Sequence, residues 1–86
     1  KTQKNDKQIS EIASNHGIEK EELQKFISKI LNRMIFDDED LTNLLKPLGL
    51  GWKERTKQKL SLMEDLIPLL HKLSHGREIS GLSAYE

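Results

Sequence analysis

The chain has 86 residues, no cysteine, and equal numbers of basic and acidic residues, 14 of each. Its length is typical of one domain with a modest core, and the lack of cysteine excludes a disulfide framework and a thiolate metal site. The apolar residues are almost all Leu and Ile, and no apolar run is long enough for a membrane span or a signal-peptide core. The composition therefore predicts a small all-α domain, because strand-forming Val is absent.

The first half of the chain predicts two helices joined at a glycine. Residues 1–5 are polar and unpatterned, which is typical of a frayed terminus or linker. A short helix then begins after Asp6 as its N-cap and ends near residue 15, where Gly17 supplies the left-handed conformation that closes helices. The second helix, from about Glu19 to Met34, has the most regular apolar spacing in the chain. Its core positions are Leu23, Phe26, Ile27, Ile30, Leu31 and Met34.

The second half predicts a short helix and a long one. Asp37 or Asp38 caps the short helix, which ends at Pro47 and Gly49. The long helix runs from Gly51 to Leu73, and its apolar arc covers roughly half of its circumference, so the chain or a partner must cover it. That arc comprises Trp52, Leu60, Leu62, Met63, Leu66, Ile67, Leu69, Leu70 and Leu73. Pro68 projects to the polar face and predicts either a bend or a split into two helices.

The resulting prediction is an all-α bundle of four to five helices with a short irregular C-terminal tail. We place the bundle domain at residues 1–78 and the tail at residues 79–86. The tail retains three apolar residues spaced three apart, Ile79, Leu82 and Tyr85.

A helix-turn-helix is one candidate site. Ala13, Gly17, Ile18, Leu23 and Phe26 have its usual spacing. The second helix would nevertheless lead with Glu19 and Glu21, where phosphate-facing helices normally carry bases or amides. We therefore prefer a helical hairpin that serves only the core.

The basic start of the long helix is the second candidate. Residues 46–60 contain five Lys or Arg and one Glu, whereas residues 37–45 contain four acids and no base. Cations near a helix N-terminus oppose the helix dipole but strengthen the potential that a phosphate backbone seeks. The predicted nucleic-acid- or partner-binding residues are Lys46, Trp52, Lys53, Arg55, Lys57 and Lys59. An ordinary solvated face with snorkelling stems is the alternative. Trp52 has the chemistry of an interface anchor, but we prefer a core tryptophan that caps the helix end.

Metal-binding and catalytic interpretations are weaker. The acidic run of residues 37–40 lacks the spaced ligands of a calcium loop, and acids at a helix N-terminus explain it. His71 and His75 have an i, i+4 spacing that can hold zinc, but Lys72 stands where a zinc protease motif needs Glu. We therefore expect no metal site and no catalytic residue.

The segment LGLGWKERTKQKLSLMEDLIPLLHKLSHGREISGLSAYE, residues 48–86, resembles the extreme C-terminal helical domain of the R (motor and nuclease) subunit of type I restriction-modification enzymes. HGIEKEELQKFISKILNRMIFDDEDLTNLL, residues 16–45, resembles the same region. GWKERTKQK and GREISGL carry the resemblance most specifically. The lack of an initiator Met indicates a fragment or a processed chain.

The resemblance implies a cytoplasmic parent subunit that is an ATP-dependent type I site-specific deoxyribonuclease and translocase. ATP and Mg²⁺ would bind in its other domains, so this fragment would be no enzyme and hold no cofactor. The implied role here is docking to the methyltransferase and specificity subunits, with sequence-independent contact to duplex DNA and none to membranes. A purely structural helical module without nucleic-acid contact is the alternative.

Overall fold

The computed structural model describes the backbone of residues 2–86 and the side chains of residues 6–86. Four α-helices form a bundle: α1 (Thr2–Asn15), α2 (Lys20–Arg33), α3 (Asp38–Leu45) and α4 (Trp52–Leu73). Short 3₁₀ helices follow α3, at Lys46–Leu48, and close the chain, at Leu82–Tyr85. The predicted all-α bundle with a short C-terminal segment is confirmed. No helix within residues 2–86 has the length and apolar content needed to cross a membrane.

The turn between α1 and α2 is set by Gly17. Its φ of +68° lets the Ile18 N–H reach back to the Ala13 carbonyl at 2.8 Å, while its own N–H bonds the Ser14 carbonyl at 3.3 Å. This pair of bonds is a Schellman motif, which satisfies the last carbonyls of α1. The predicted glycine closure is confirmed.

The start of α1 differs from the prediction. The helix begins at Thr2, so Asp6 is no N-cap but an interior residue whose carboxylate accepts a hydrogen bond from Gln24 Nε2 at 3.0 Å. Lys and Gln are good helix formers, so polarity alone does not end a helix. Lys1 lies outside the described residues, and with it part of the predicted frayed terminus.

Both ends of α3 follow the predicted chemistry. Asp37 is extended, and its Oδ1 accepts the Glu39 N–H at 3.0 Å, which makes it the N-cap. At the other end the chain tightens into the 3₁₀ turn that contains Pro47, and Gly49 stops it with a φ of +67°.

α4 is one continuous helix of 22 residues that contains Pro68, so of the two alternatives that the sequence left open, the split into two helices is wrong. Proline lacks the N–H that would bond the carbonyl four residues back. Pro68 is exposed on the polar side, as predicted, where water can satisfy that carbonyl. The buried side of α4 comprises Leu62, Met63, Leu66, Leu69 and Leu70.

The C-terminal segment packs into the same core. Ile79 and Leu82 are buried with the helical core residues. The backbone of Ser80 donates to the Met34 carbonyl at 2.9 Å and accepts from the Phe36 N–H at 2.7 Å, forming a bridge beside the α2–α3 loop. The division of the chain between residues 78 and 79 stays a prediction.

Candidate functional site

The first part of α4 extends beyond the core. No side chain of residues 52–61 is buried, and Leu62 is the first buried residue of the helix. The remaining helices and the C-terminal segment therefore cover only the later turns of α4. We call residues 52–60 the basic helix end.

Four of the predicted cations remain available to a ligand. Lys46, Lys53 and Lys57 are exposed and Arg55 is half-buried. Within the described side chains, no carboxylate lies within 4.0 Å of their charged nitrogens. The structure thus leaves these cations without an ion-pair partner among the described side chains, at and before the first turns of α4. The helix dipole adds positive potential there, and Glu54 is the acid of the first turn.

Lys59 is different, because it is held inside the domain. Its Nζ lies 3.0 Å from Asp38 Oδ2, and only 17% of its side chain is exposed. The sequence groups it with the available cations, but α3 brings a carboxylate against it. The spacing of α4 indicates that Lys59 projects into the apolar arc, but the carboxylate that it meets depends on the long-range approach of α3.

Asp38 also accepts a hydrogen bond from the Tyr85 hydroxyl, which ties the C-terminal segment to the same point. The Tyr85 hydrogen bond, helped by the hydrogen bond and charge of Lys59, lowers the pKa of Asp38 even though partial burial opposes this. Burial first, and then the Asp38 hydrogen bond and charge, raises the pKa of Tyr85 to about 12.

Trp52 and Leu60 lie in solvent, with 69% and 55% of their surfaces exposed. The prediction left open whether the chain or a partner covers the apolar arc, and the described part of the chain covers neither residue. The preference for Trp52 as a core tryptophan is wrong. Trp52 stands beyond the end of the core, and Leu60 lies at the flank of α4, about 120° from the direction of the buried leucines. Lys53 Nζ lies 5.8 Å from the centre of the Trp52 ring.

Trp52, Thr56 and Leu60 follow one another at intervals of four, so they line up along the helix surface. The Thr56 hydroxyl donates to the Trp52 carbonyl at 2.9 Å, which satisfies its O–H donor within the helix. We call these three residues the apolar ridge. Sequence reasoning missed Leu60 as a surface residue, although an apolar arc wider than a small core needs was the available signal.

Residues 1–73 match the family described as "Type I restriction and modification enzyme - subunit R C terminal". The chain belongs to this family. The matched region contains the four helices and the whole basic helix end, whereas residues 74–86, with GREISGL, lie beyond it. No curated protein and no solved structure matches the chain.

The acidic run of this R-subunit domain is occupied by internal contacts. Asp37 caps α3, Asp38 pairs with Lys59, and Asp40 Oδ1 lies 2.9 Å from Lys29 Nζ. Among the described side chains, no three His, Asp or Glu groups converge in a way that could hold a metal ion.

Two histidines of the R-subunit domain join distant parts of the chain. His71 Nε2 lies 2.7 Å from Glu86 Oε2, which makes it a partner of the C-terminus rather than of His75. His16, in the α1–α2 turn, contacts Asp65 Oδ2 at 2.8 Å through Nε2 and Gln58 Nε2 at 2.9 Å through Nδ1. These contacts anchor the turn to α4.

The helix-turn-helix interpretation gains no chemical support in this R-subunit domain. The start of α2 is exposed but carries Glu21 and Glu22 in its first turn. Lys25 on the same face lies 3.9 Å from Glu22. Those carboxylates would meet phosphates if α2 approached a DNA groove, which favours the basic helix end as the surface for an anionic ligand.

Proposed function

We propose that this domain supports assembly of the R subunit with the methyltransferase and specificity subunits, and that it contacts duplex DNA through phosphates without reading sequence. Family membership supports a place in a restriction complex. The observation that carries the proposal is the group of cations at and beside the basic helix end that have no ion-pair partner among the described side chains.

The cations are positioned at a cost. Each Lys or Arg near a helix N-terminus opposes the dipole by about a few tenths of a kcal/mol. An approaching phosphate would reverse that cost, because it gains from both the side-chain charges and the dipole. Contacts of this kind fix position on a duplex but carry no base information.

We propose a limited role for this fragment in the chemistry of the enzyme. The ATP-dependent translocase and endonuclease activities, with ATP and Mg²⁺, would belong to other domains of a cytoplasmic parent subunit. The described residues of this domain contribute surface and charge to that machine. Lys46, Lys53, Arg55 and Lys57 are the residues to which we assign the phosphate contact.

The test reverses three of these charges, Lys53→Glu, Arg55→Glu and Lys57→Glu, in the full-length R subunit. Lys59 is left in place because its loss would break the Asp38 pair. We expect weaker DNA binding and a smaller slope of log affinity against log salt, by about 0.9 for each phosphate that is no longer neutralised. DNA binding and complex assembly are each measured by titration over a range of salt concentrations.

The matched control reverses three exposed lysines elsewhere, Lys7, Lys20 and Lys72. This variant has the same net charge as the first, so any difference between them reports position. Equal salt slopes for the wild type and both variants would refute the DNA contact.

The alternative function is a protein-interaction module with no nucleic-acid contact. The exposure of Trp52 and Leu60 favours it, because a phosphate backbone offers neither side chain an apolar partner. The same titrations separate the two functions. An assembly defect with an unchanged DNA salt slope would establish the alternative.

A further inference from the structure

We infer that the apolar ridge inserts into an apolar groove of a partner protein, and that the rim of this groove carries carboxylates facing Lys53 and Lys57. The inference deepens the proposed function and rests on its assembly component. It assigns assembly to Trp52 and Leu60, with Lys53 and Lys57 at the rim. It thereby narrows the phosphate contact of the proposed function from four residues to Lys46 and Arg55, so Arg55→Glu accounts for the change in DNA salt slope expected of the triple charge reversal.

The first argument is the chemistry of the ridge. Trp52 and Leu60 are two of the three large apolar side chains that are most exposed in the described part of the chain, and they share one helix face. The Thr56 hydroxyl donates to the backbone, so the residue between them needs no further acceptor for its O–H group when the ridge is covered. Single exposed apolar residues are ordinary, but an aligned set on a projecting helix is a docking surface.

The second argument is the distribution of charge. At 100° per residue, Lys53 and Lys57 border the ridge on one side, and Arg55 borders it on the other. Glu54 and Ser61 point to the far side of the helix by the same geometry. A protein groove that accepts this ridge must therefore present negative charge at its rim, because like charges across an interface are strongly unfavourable.

The third argument separates a protein from a nucleic acid. Aromatic side chains stack on the bases of single strands, whereas the nucleic-acid ligand proposed here is a duplex whose bases are already stacked on one another. Leu60 has nothing to contact on a phosphate backbone. Trp and Arg are enriched among the residues that dominate protein interfaces, where a desolvated aromatic anchor fills a pocket.

The test uses Trp52→Ala with Leu60→Ser in the full-length R subunit. We expect affinity for the methyltransferase and specificity subunits to fall by about 30-fold or more, the loss typical of an interface anchor. We also expect the salt dependence of DNA binding to stay unchanged. Because neither side chain is buried in the domain, its melting temperature should be unaffected.

Ile35→Ser is the matched control, since Ile35 is 52% exposed but lies in the α2–α3 loop. It should leave assembly unchanged. A second variant, Lys53→Gln with Lys57→Gln, should weaken assembly and reduce the salt dependence of assembly. That result would support the acidic rim.

Three results would overturn the inference. The first is that Trp52→Ala with Leu60→Ser, the ridge variant, binds the methyltransferase and specificity subunits as tightly as the wild type does. Weaker DNA binding without an assembly defect would assign the ridge to nucleic acid. A lower melting temperature of the full-length protein with normal assembly would place the ridge against another domain of the same chain. If the ridge variant disrupts assembly while the triple charge reversal leaves the DNA salt slope unchanged, the inference stands and the proposed DNA contact fails.

Discussion

The Lys59 ammonium lies 3.0 Å from the Asp38 carboxylate, and this pair joins the start of α3 to α4. The Tyr85 hydroxyl donates to the same carboxylate, so three separate parts of the chain meet at one group. The pair also marks a boundary along α4. Lys53 and Lys57 before it are exposed, whereas Lys59 is largely covered, and the first buried residue of α4, Leu62, follows three positions later.

The titration of Tyr85 tests the contact between its hydroxyl and the Asp38 carboxylate. The chain has one tyrosine, so the absorbance of its ionised form reports Tyr85 alone. We expect a pKa of about 12 in the folded protein. In Asp38→Asn the charge of Asp38 is gone but burial persists, so the pKa should fall toward its ordinary value of 10.0 without reaching it. A wild-type midpoint near 10.0 would contradict the structure.

The contacts of Asp38 and Tyr85 make the free energy of unfolding depend on pH in both the acid and the alkaline range. The pKa of Tyr85 is raised on folding, so its contribution is complete below pH 10.0 and is lost as pH rises toward about 12. The pKa of Asp38 is lowered, so its contribution is present above 3.8 and is lost as pH falls through the folded pKa. Urea unfolding of the wild type at a series of pH values should show a loss of unfolding free energy at low pH and another at high pH. Asp38→Asn should remove the loss at low pH. An acid loss that persists unchanged in Asp38→Asn would assign it to other carboxylates.

Leu82 tests whether the C-terminal segment contributes to the core. It is 1% exposed, although it lies beyond the region that matches the family. We expect Leu82→Ala to reduce the free energy of unfolding by about 2–5 kcal/mol, because it leaves a cavity. Ser83→Ala, at an exposed neighbouring position, should change it by less than about 0.5 kcal/mol. Equal effects measured by urea denaturation would show that the segment does not pack as described.

Gly81 and Gly76 together test how closely the C-terminal segment approaches the α2–α3 loop. Their φ angles are +84° and +81°, so a side chain at either is strained, by about 1–2 kcal/mol. A Cβ at Gly81 would lie 2.6 Å from the Phe36 carbonyl oxygen, whereas one at Gly76 would meet nothing within 4 Å. Gly81→Ala should therefore lower the unfolding free energy by at least about 1 kcal/mol more than Gly76→Ala. Equal losses would mean that the segment lies farther from the α2–α3 loop.

The sequence predicted those parts of the fold that depend on local chemistry. Gly17 closes α1 and Asp37 caps α3 through bonds to residues within a few positions, so the residue types themselves indicate the turns. The periodic leucines and isoleucines of α2 likewise identify a buried face. The predicted start of α1 was wrong because the polar residues 2–5 are as compatible with a helix as with a linker.

The candidate site could be predicted only in part. The cluster of cations can be seen in residues 46–60 alone. Whether each cation has an ion-pair partner depends on which carboxylates the rest of the chain places beside it. Lys59 is paired because α3 approaches it, and Leu60 is exposed because the other helices cover a different arc of α4. Helical periodicity predicts how wide an apolar face is but not which part of it the small core covers.

The fluorescence of Trp52 tests whether the start of α4 lies outside the core, because Trp52 is the one tryptophan of the chain. With 69% of the residue exposed, its fluorescence in the folded domain should resemble that of the unfolded chain and should be quenched readily by acrylamide. The control, Trp52→Phe with Phe36→Trp, moves the indole to a position that is 6% exposed, where emission should shift to the blue and quenching should fall. A blue-shifted and protected Trp52 in the isolated domain would return this residue to the core and remove the anchor from the apolar ridge. Solvent-like emission that shifts to the blue only when the partner subunits are added would locate Trp52 in the interface, because burial of the indole would then depend on assembly.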